Sequence, residues 1–171
     1  MKTIKTLIIL FTVFVTYSAV NAQDKPAASA VNNVLTAYLD VKNALTTDNK
    51  AAAKSKAHDL LTAINAVPMD RLTPEQHKLW MTYSEKLEFD SRHISESDAI
   101  DHQREHFTSL SKNLYEVIKG LKLNAAIVYE QYCPMKKATW LSETSAIKNP
   151  YYGKQMLTCG KTTETLAPAT K

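Results

Sequence analysis

The chain has 171 residues, of which 44% are hydrophobic and 22% charged, with a formal net charge of +4 at pH 7. That is enough apolar content for one domain with its own core, and a charge excess too small to argue for a nucleic-acid-binding protein. The basic residues are scattered, Lys136-Lys137 being the only adjacent pair, so a solvated surface accounts for them.

Met1 to Lys5 carries two lysines, Leu7 to Val15 is apolar, and Val20-Asn21-Ala22 precedes the polar Gln23-Asp24-Lys25. These are the charged, apolar and small-residue regions of a secretory signal peptide, with cleavage expected after Ala22 and a periplasmic or secreted destination. The apolar run is too short to span a bilayer, and no later stretch is apolar enough to do so. With no cysteine near the cleavage point, a lipid anchor is not expected. Residues 23–164 read as a single domain and residues 165–171 as a flexible tail.

From Ala27 to Thr47, Val31, Val34, Leu35, Tyr38, Val41 and Leu45 recur at three- and four-residue intervals, which predicts an amphipathic helix. Thr47-Asp48-Asn49 breaks it and offers a new N-cap, after which Ala53, Ala57, Leu60, Leu61, Ile64 and Val67 predict a second helix ending near Pro68. The short connection favours a helical hairpin. Thr73-Pro74-Glu75-Gln76 has the residues of a capping box with proline at the first helical position, and Leu79, Trp80, Tyr83, Leu87 and Ile94 supply the stripe of a third helix. Ser95-Glu96-Ser97-Asp98 is either a bend in a nearly continuous helix or the entry to a fourth, whose stripe is Ile100, Gln103, Phe107, Leu110, Leu114, Val117 and Ile118, ending near Gly120.

After Gly120 the period changes. Residues 126–132 are branched and aromatic enough for a strand, with Thr139-Trp140-Leu141 as a short partner, while Thr162 to Lys171 lacks periodicity and reads as a loose tail. The expected fold is mainly α: an antiparallel four-helix bundle with a small irregular or β C-terminal appendage.

Unusual chemistry concentrates between Tyr129 and Gly160, which holds both cysteines of the chain. Cys133-Pro134-Met135 and Met156-Leu157-Thr158-Cys159-Gly160 each place a thiol near a thioether, and soft donors of this kind suit Cu(I) or Ag(I). The competing reading is a Cys133–Cys159 disulfide, which in the chain-entropy model would contribute roughly 3 to 4 kcal/mol for a loop of about 26 residues. His102 and His106 stand four apart on one helix face, a spacing that lets two imidazoles grip one ion, and His93 could join them across the helix break. The plainer reading of these two is a pair of solvated surface histidines near Asp101, Arg104 and Glu105. His58 and His77 show no pattern.

No glycine-rich phosphate loop, Cys-x-x-Cys pair or Gly-x-Ser-x-Gly elbow occurs, and Glu85, Glu88 and Asp90 are spread as on a solvated face, so catalysis is not expected. Tyr129, Tyr132, Trp140, Tyr151 and Tyr152 either seat the appendage on the helices or form an aromatic protein-binding patch.

Four stretches resemble a bacterial family of extracytoplasmic domains, common in Bacteroidetes and described only as of unknown function. They are Asp101-His102-Gln103-Arg104-Glu105-His106-Phe107, Tyr132-Cys133-Pro134-Met135, Trp140-Leu141-Ser142 and the run from Ile147 to Gly160. The resemblance covers about Val31 to Glu164. Members occur alone and fused to periplasmic adaptors of copper and silver efflux pumps, which implies an association with copper handling; adaptor hairpin and barrel segments are missing here. The reading that follows is an exported, non-catalytic protein that binds a soft metal ion, Cu(I) or Ag(I), in support of an envelope efflux component. Cys133, Met135, Met156 and Cys159 are its candidate ligands, supplemented by His102 and His106. The alternative is a disulfide-stapled helical module that binds another envelope protein.

Overall fold

The computed structural model describes residues 24–169; the expected signal segment and its cleavage point lie outside the described residues. The chain is mainly helical, with a small three-stranded antiparallel sheet at its C-terminal end. No described helix is long and apolar enough to cross a membrane.

Helix α1 (Asp24–Thr46) buries Ala27, Val31, Val34, Leu35, Tyr38, Val41 and Leu45, the stripe its spacing predicts. It stops at Asp48, whose φ of 59° is left-handed and cannot continue a helix. Asn49 then caps α2 (Lys50–Asn65), its side-chain oxygen accepting the Ala52 N–H at 3.0 Å. At the start of α3 (Pro74–Glu96) both halves of the capping box form: Gln76 N–H donates to Thr73 Oγ1 and Thr73 N–H to Gln76 Oε1.

Helix α4 (Ile100–Leu121) is separate from α3 rather than continuous with it. Ser97 makes the break, since its hydroxyl accepts the Ala99 N–H and its carbonyl accepts a hydrogen bond from Gln103 Nε2 at 2.8 Å. The same amide group donates to the Lys50 carbonyl at 3.0 Å, which ties the break to the start of α2 and explains a glutamine in the α4 stripe.

The helices pack in chain order, α1 on α2, α2 on α3 and α3 on α4, and the sheet lies against α4. Strand β1 (Val128–Cys133) is central, flanked by β2 (Ala138–Ser142) and β3 (Lys161–Leu166), all antiparallel. Relative to the expected strand, β1 begins two residues later, because Asn124 Nδ2 donates to the carbonyls of Ala126 and Ala167 and holds that approach in a turn.

The loose tail expected from Thr162 onward is corrected by β3. Its side chains are mostly exposed, so no apolar alternation marks it, and it is held by backbone pairing to β1. Glu164 adds a side-chain anchor: Tyr115 Oη donates to its carboxylate at 2.5 Å and Lys119 Nζ at 3.0 Å. These two donors, Tyr115 first, hold the Glu164 carboxyl below its ordinary range.

One buried hydroxyl joins three layers. Tyr38 of α1 is fully buried; its oxygen accepts the Leu141 N–H of β2 at 3.1 Å and lies 2.7 Å from Ser111 Oγ of α4. Its ring stacks on Phe107 at 5.1 Å, Phe107 meets Tyr151 at 6.0 Å, and Tyr151 meets Trp140 at 6.0 Å. Two polar clamps secure the C-terminal segment further. Buried Lys42 donates to Glu143 at 2.5 Å, and Arg104 donates to the carbonyls of Leu45 and Pro150 and to Asp48 Oδ1. Gly153, at φ 54°, lies so close to Asp48 and Arg104 that a Cβ would run into both side chains.

Tyr38→Phe keeps the ring but leaves the Leu141 N–H and Ser111 without their partner, so urea unfolding should show a loss of about 1–3 kcal/mol. Burial raises the Tyr38 pKa well above its ordinary value, so its contribution is fully present below about pH 10 and is lost as pH rises beyond that. The wild type should therefore lose stability more steeply in alkali than Tyr38→Phe; parallel curves would show that this hydroxyl does not govern the alkaline transition.

Candidate metal centre

The last turns of α3 meet the first turns of α4 because only Ser97 to Ala99 separates the two helices. Asp90 and His93, three apart, share one face of α3, and His102 and His106, four apart, share one face of α4. The reversal sets these faces together. His93, His102 and His106 each offer a ring nitrogen, and the three nitrogens lie within 4.8 Å of one another. The His93 and His106 rings stack at 4.5 Å, and His102 stands edge-on to His106 at 4.7 Å.

Asp90 fixes one of the three. Its carboxylate, 4% exposed, lies 2.9 Å from His106 Nδ1. A buried carboxylate accepts, so Nδ1 carries the proton and Nε2 keeps its lone pair free to bind an ion. A carboxylate behind an imidazole is the usual support of a metal-binding histidine, fixing its tautomer and raising its basicity. The solvated face expected for Asp90 is thereby corrected; of its two companions, Glu85 is exposed and Glu88 half-buried. A tetrahedral ion with bonds of about 2.0–2.1 Å needs nitrogens roughly 3.3 Å apart, so the imidazoles, two of them stacked with planes 12° apart, would have to turn toward a common point to close on one. Phe89 stands beside the cluster, 56% exposed, its ring 4.3 Å from that of His93. Glu105 Oε2 lies 3.8 Å from His102 Nδ1 and is largely exposed.

The sulfur residues are placed differently. Cys133 and Cys159 are free thiols, so the disulfide expected as the alternative is not formed. Cys133, fully buried at the end of β1, receives the Lys136 N–H on its sulfur at 3.4 Å. Cys159 is half-buried in the segment before β3, and its thiol pKa is raised by burial and then by the proximity of Cys133. Next to it Gly160 adopts φ 155°, where a Cβ would press on Trp140 and on the Tyr132 carbonyl. Met135 is 63% exposed in the turn between β1 and β2, whereas Met156 is half-buried, its carbonyl accepting the Cys159 N–H at 3.0 Å. A four-sulfur site would need Met135 to fold back from solvent. No thiol belongs to the imidazole group among the described residues.

Of the aromatic group, Trp140 and Tyr151 are buried in the core, while Tyr129, Tyr132 and Tyr152 are half-buried. His58 and His77 are exposed on α2 and α3.

Fold and site together define a helical domain with a small sheet and a three-imidazole cluster at a helical hairpin. Residues 34–126 match the family described as "Protein of unknown function (DUF3347)", more than half of the chain, and the chain belongs to that family. The match includes Asp90 and all three histidines and stops before either cysteine. No curated protein and no solved structure matches the chain.

Thiol labelling should find one reactive group in the native chain, Cys159, with Cys133 reacting only on unfolding. Because the Cys159 thiol is raised above its ordinary value, its rate should still be climbing at pH 9. Equal rates for both cysteines at neutral pH would contradict this placement.

Proposed function

We propose that this protein reversibly binds one transition-metal ion through His93, His102 and His106, and that it does so outside the cytoplasm in metal handling. The observation that carries the reading is the convergence of three imidazole nitrogens backed by the buried Asp90 carboxylate. Three histidines on a rigid helical hairpin need no such grouping for packing, and burying a carboxylate is costly unless it is paired. Imidazole donors suit Cu, Zn and Ni, and among divalent ions Cu(II) binds such a set most tightly. Copper is also the ion that the resemblance to efflux-associated domains implies.

A second reading keeps a soft ion, Cu(I) or Ag(I), at the thiols. What favours it is that Cys133 and Cys159 both carry free thiols. Met135 and Met156 would join them only after Met135 leaves solvent.

Native mass spectrometry and calorimetry on the chain from Gln23 to Lys171 separate the two. With Cu(II), the wild type and Cys133→Ser/Cys159→Ser should each take up one ion, and His93→Ala/His102→Ala/His106→Ala should take up none. Asp90→Ala should retain the stoichiometry with affinity lowered about 10- to 100-fold, as for loss of a carboxylate behind a metal-binding histidine. Unchanged uptake by the triple histidine variant would reject the imidazole site. Uptake of Ag(I) that depends on the cysteines alone would transfer the function to the thiols.

A further inference from the structure

The three-imidazole reading leaves open what completes the coordination of the ion. Among the described residues, the group that converges contains three ligands and no fourth histidine, cysteine or carboxylate. The nearest carboxylates are otherwise placed: Asp90 is buried against His106 Nδ1, and Glu105 stays 3.8 Å from His102 Nδ1 with its side chain 75% exposed. Of the other charged groups on these turns, Arg104 is engaged with Asp48 and the Leu45 and Pro150 carbonyls, and Asp101 and Arg92 are exposed.

The cluster is also open to water on one side. His102 has 46% of its side chain exposed, and His93 is half-buried, against 16% exposure for the Asp90-held His106. Phe89 packs against the other two imidazoles, its ring 5.7 Å from that of His106 and 4.3 Å from that of His93.

Charge then selects the entering group. Three neutral imidazoles neutralise none of the charge of a divalent ion, and Asp90 acts on it only through His106. Closed metal sites carry four protein ligands, whereas sites that exchange ligands keep three and an open position.

We propose that the His93–His102–His106 centre is an open one, whose fourth coordination position binds a small exogenous anion on the solvent-exposed side at His102. The proposal rests on the three-imidazole reading above. The step is a ligand exchange without redox change: a copper–water bond breaks, a copper–anion bond forms, and the three imidazole bonds remain.

The test uses the chain loaded with one equivalent of Cu(II), desalted, and titrated with azide while copper content is followed by mass spectrometry. A saturable azide-to-copper charge-transfer band, with the ion retained, is the expected result. Glu105→Gln should keep the copper and leave the azide affinity unchanged. A wild type that holds copper but gives no band, with a band restored in Glu105→Gln, would show a site closed by Glu105 and overturn the proposal. Retained copper with no band in either protein would overturn it as well. Failure to hold copper at all would reject the imidazole site itself, an outcome distinct from the other two.

Discussion

The buried Tyr38 hydroxyl is the constraint on which the arrangement of the C-terminal third depends. A phenol oxygen removed from water needs partners, and the partners here come from two other layers, Ser111 of α4 and the Leu141 N–H of β2. The position of β2 against α4 is thus set by a polar requirement inside an apolar core. The aromatic series from Tyr38 through Phe107 and Tyr151 to Trp140 then fills the space between α1 and the sheet. Lys42 and Arg104 work at the edge of the same junction: buried Lys42 reaches the partly exposed Glu143, and Arg104 adds hydrogen bonds to the Pro150 and Leu45 carbonyls to its ion pair with Asp48.

The helices were legible because their stability is written in period and punctuation. Val31 to Leu45 repeats at helical spacing, and Thr73 to Gln76 has the residues of a cap in the required order, so local chemistry and tertiary burial agree. Strand β3 was not legible. Thr162, Thr163 and Thr165 face solvent, and what orders them is pairing with β1 about thirty residues upstream, together with Tyr115 and Lys119 on Glu164. An edge strand held by backbone bonds and one carboxylate leaves no alternation to read. The packing of α1 on α2 was legible from their short connection, whereas periodicity says which face is buried but not against which neighbour.

The site was half visible. His102 and His106 stand out by spacing alone, whereas the part played by His93 depends on how sharply the chain turns at Ser97, which capping residues do not specify numerically. Asp90 carried a signal that composition obscures: it stands three residues after Leu87 and four before Ile94, on the buried stripe of α3, where an unpaired charge is not tolerated. A carboxylate on an apolar stripe one turn from a histidine is the pattern that identifies it. The sulfur residues are a different case. Their clustering in sequence is real, yet the turn that begins at Pro134 carries Met135 outward while Cys133 goes inward.

The separation of seat and site has a physical consequence. The aromatic junction holds the sheet to α1 and α4, while the imidazoles come from α3 and α4. An ion bound at the hairpin adds cross-links between two helices that already pack together, so its binding energy adds to native stability instead of being consumed in ordering a loop. At a free ion concentration one hundred times Kd that linkage is worth about 2.7 kcal/mol. The adjustment it would demand falls on the imidazole side chains, carried by helices that a capping box and a three-residue turn hold in place. The proposed centre would release an ion without unfolding its support, because the helices that carry it are held by contacts of their own.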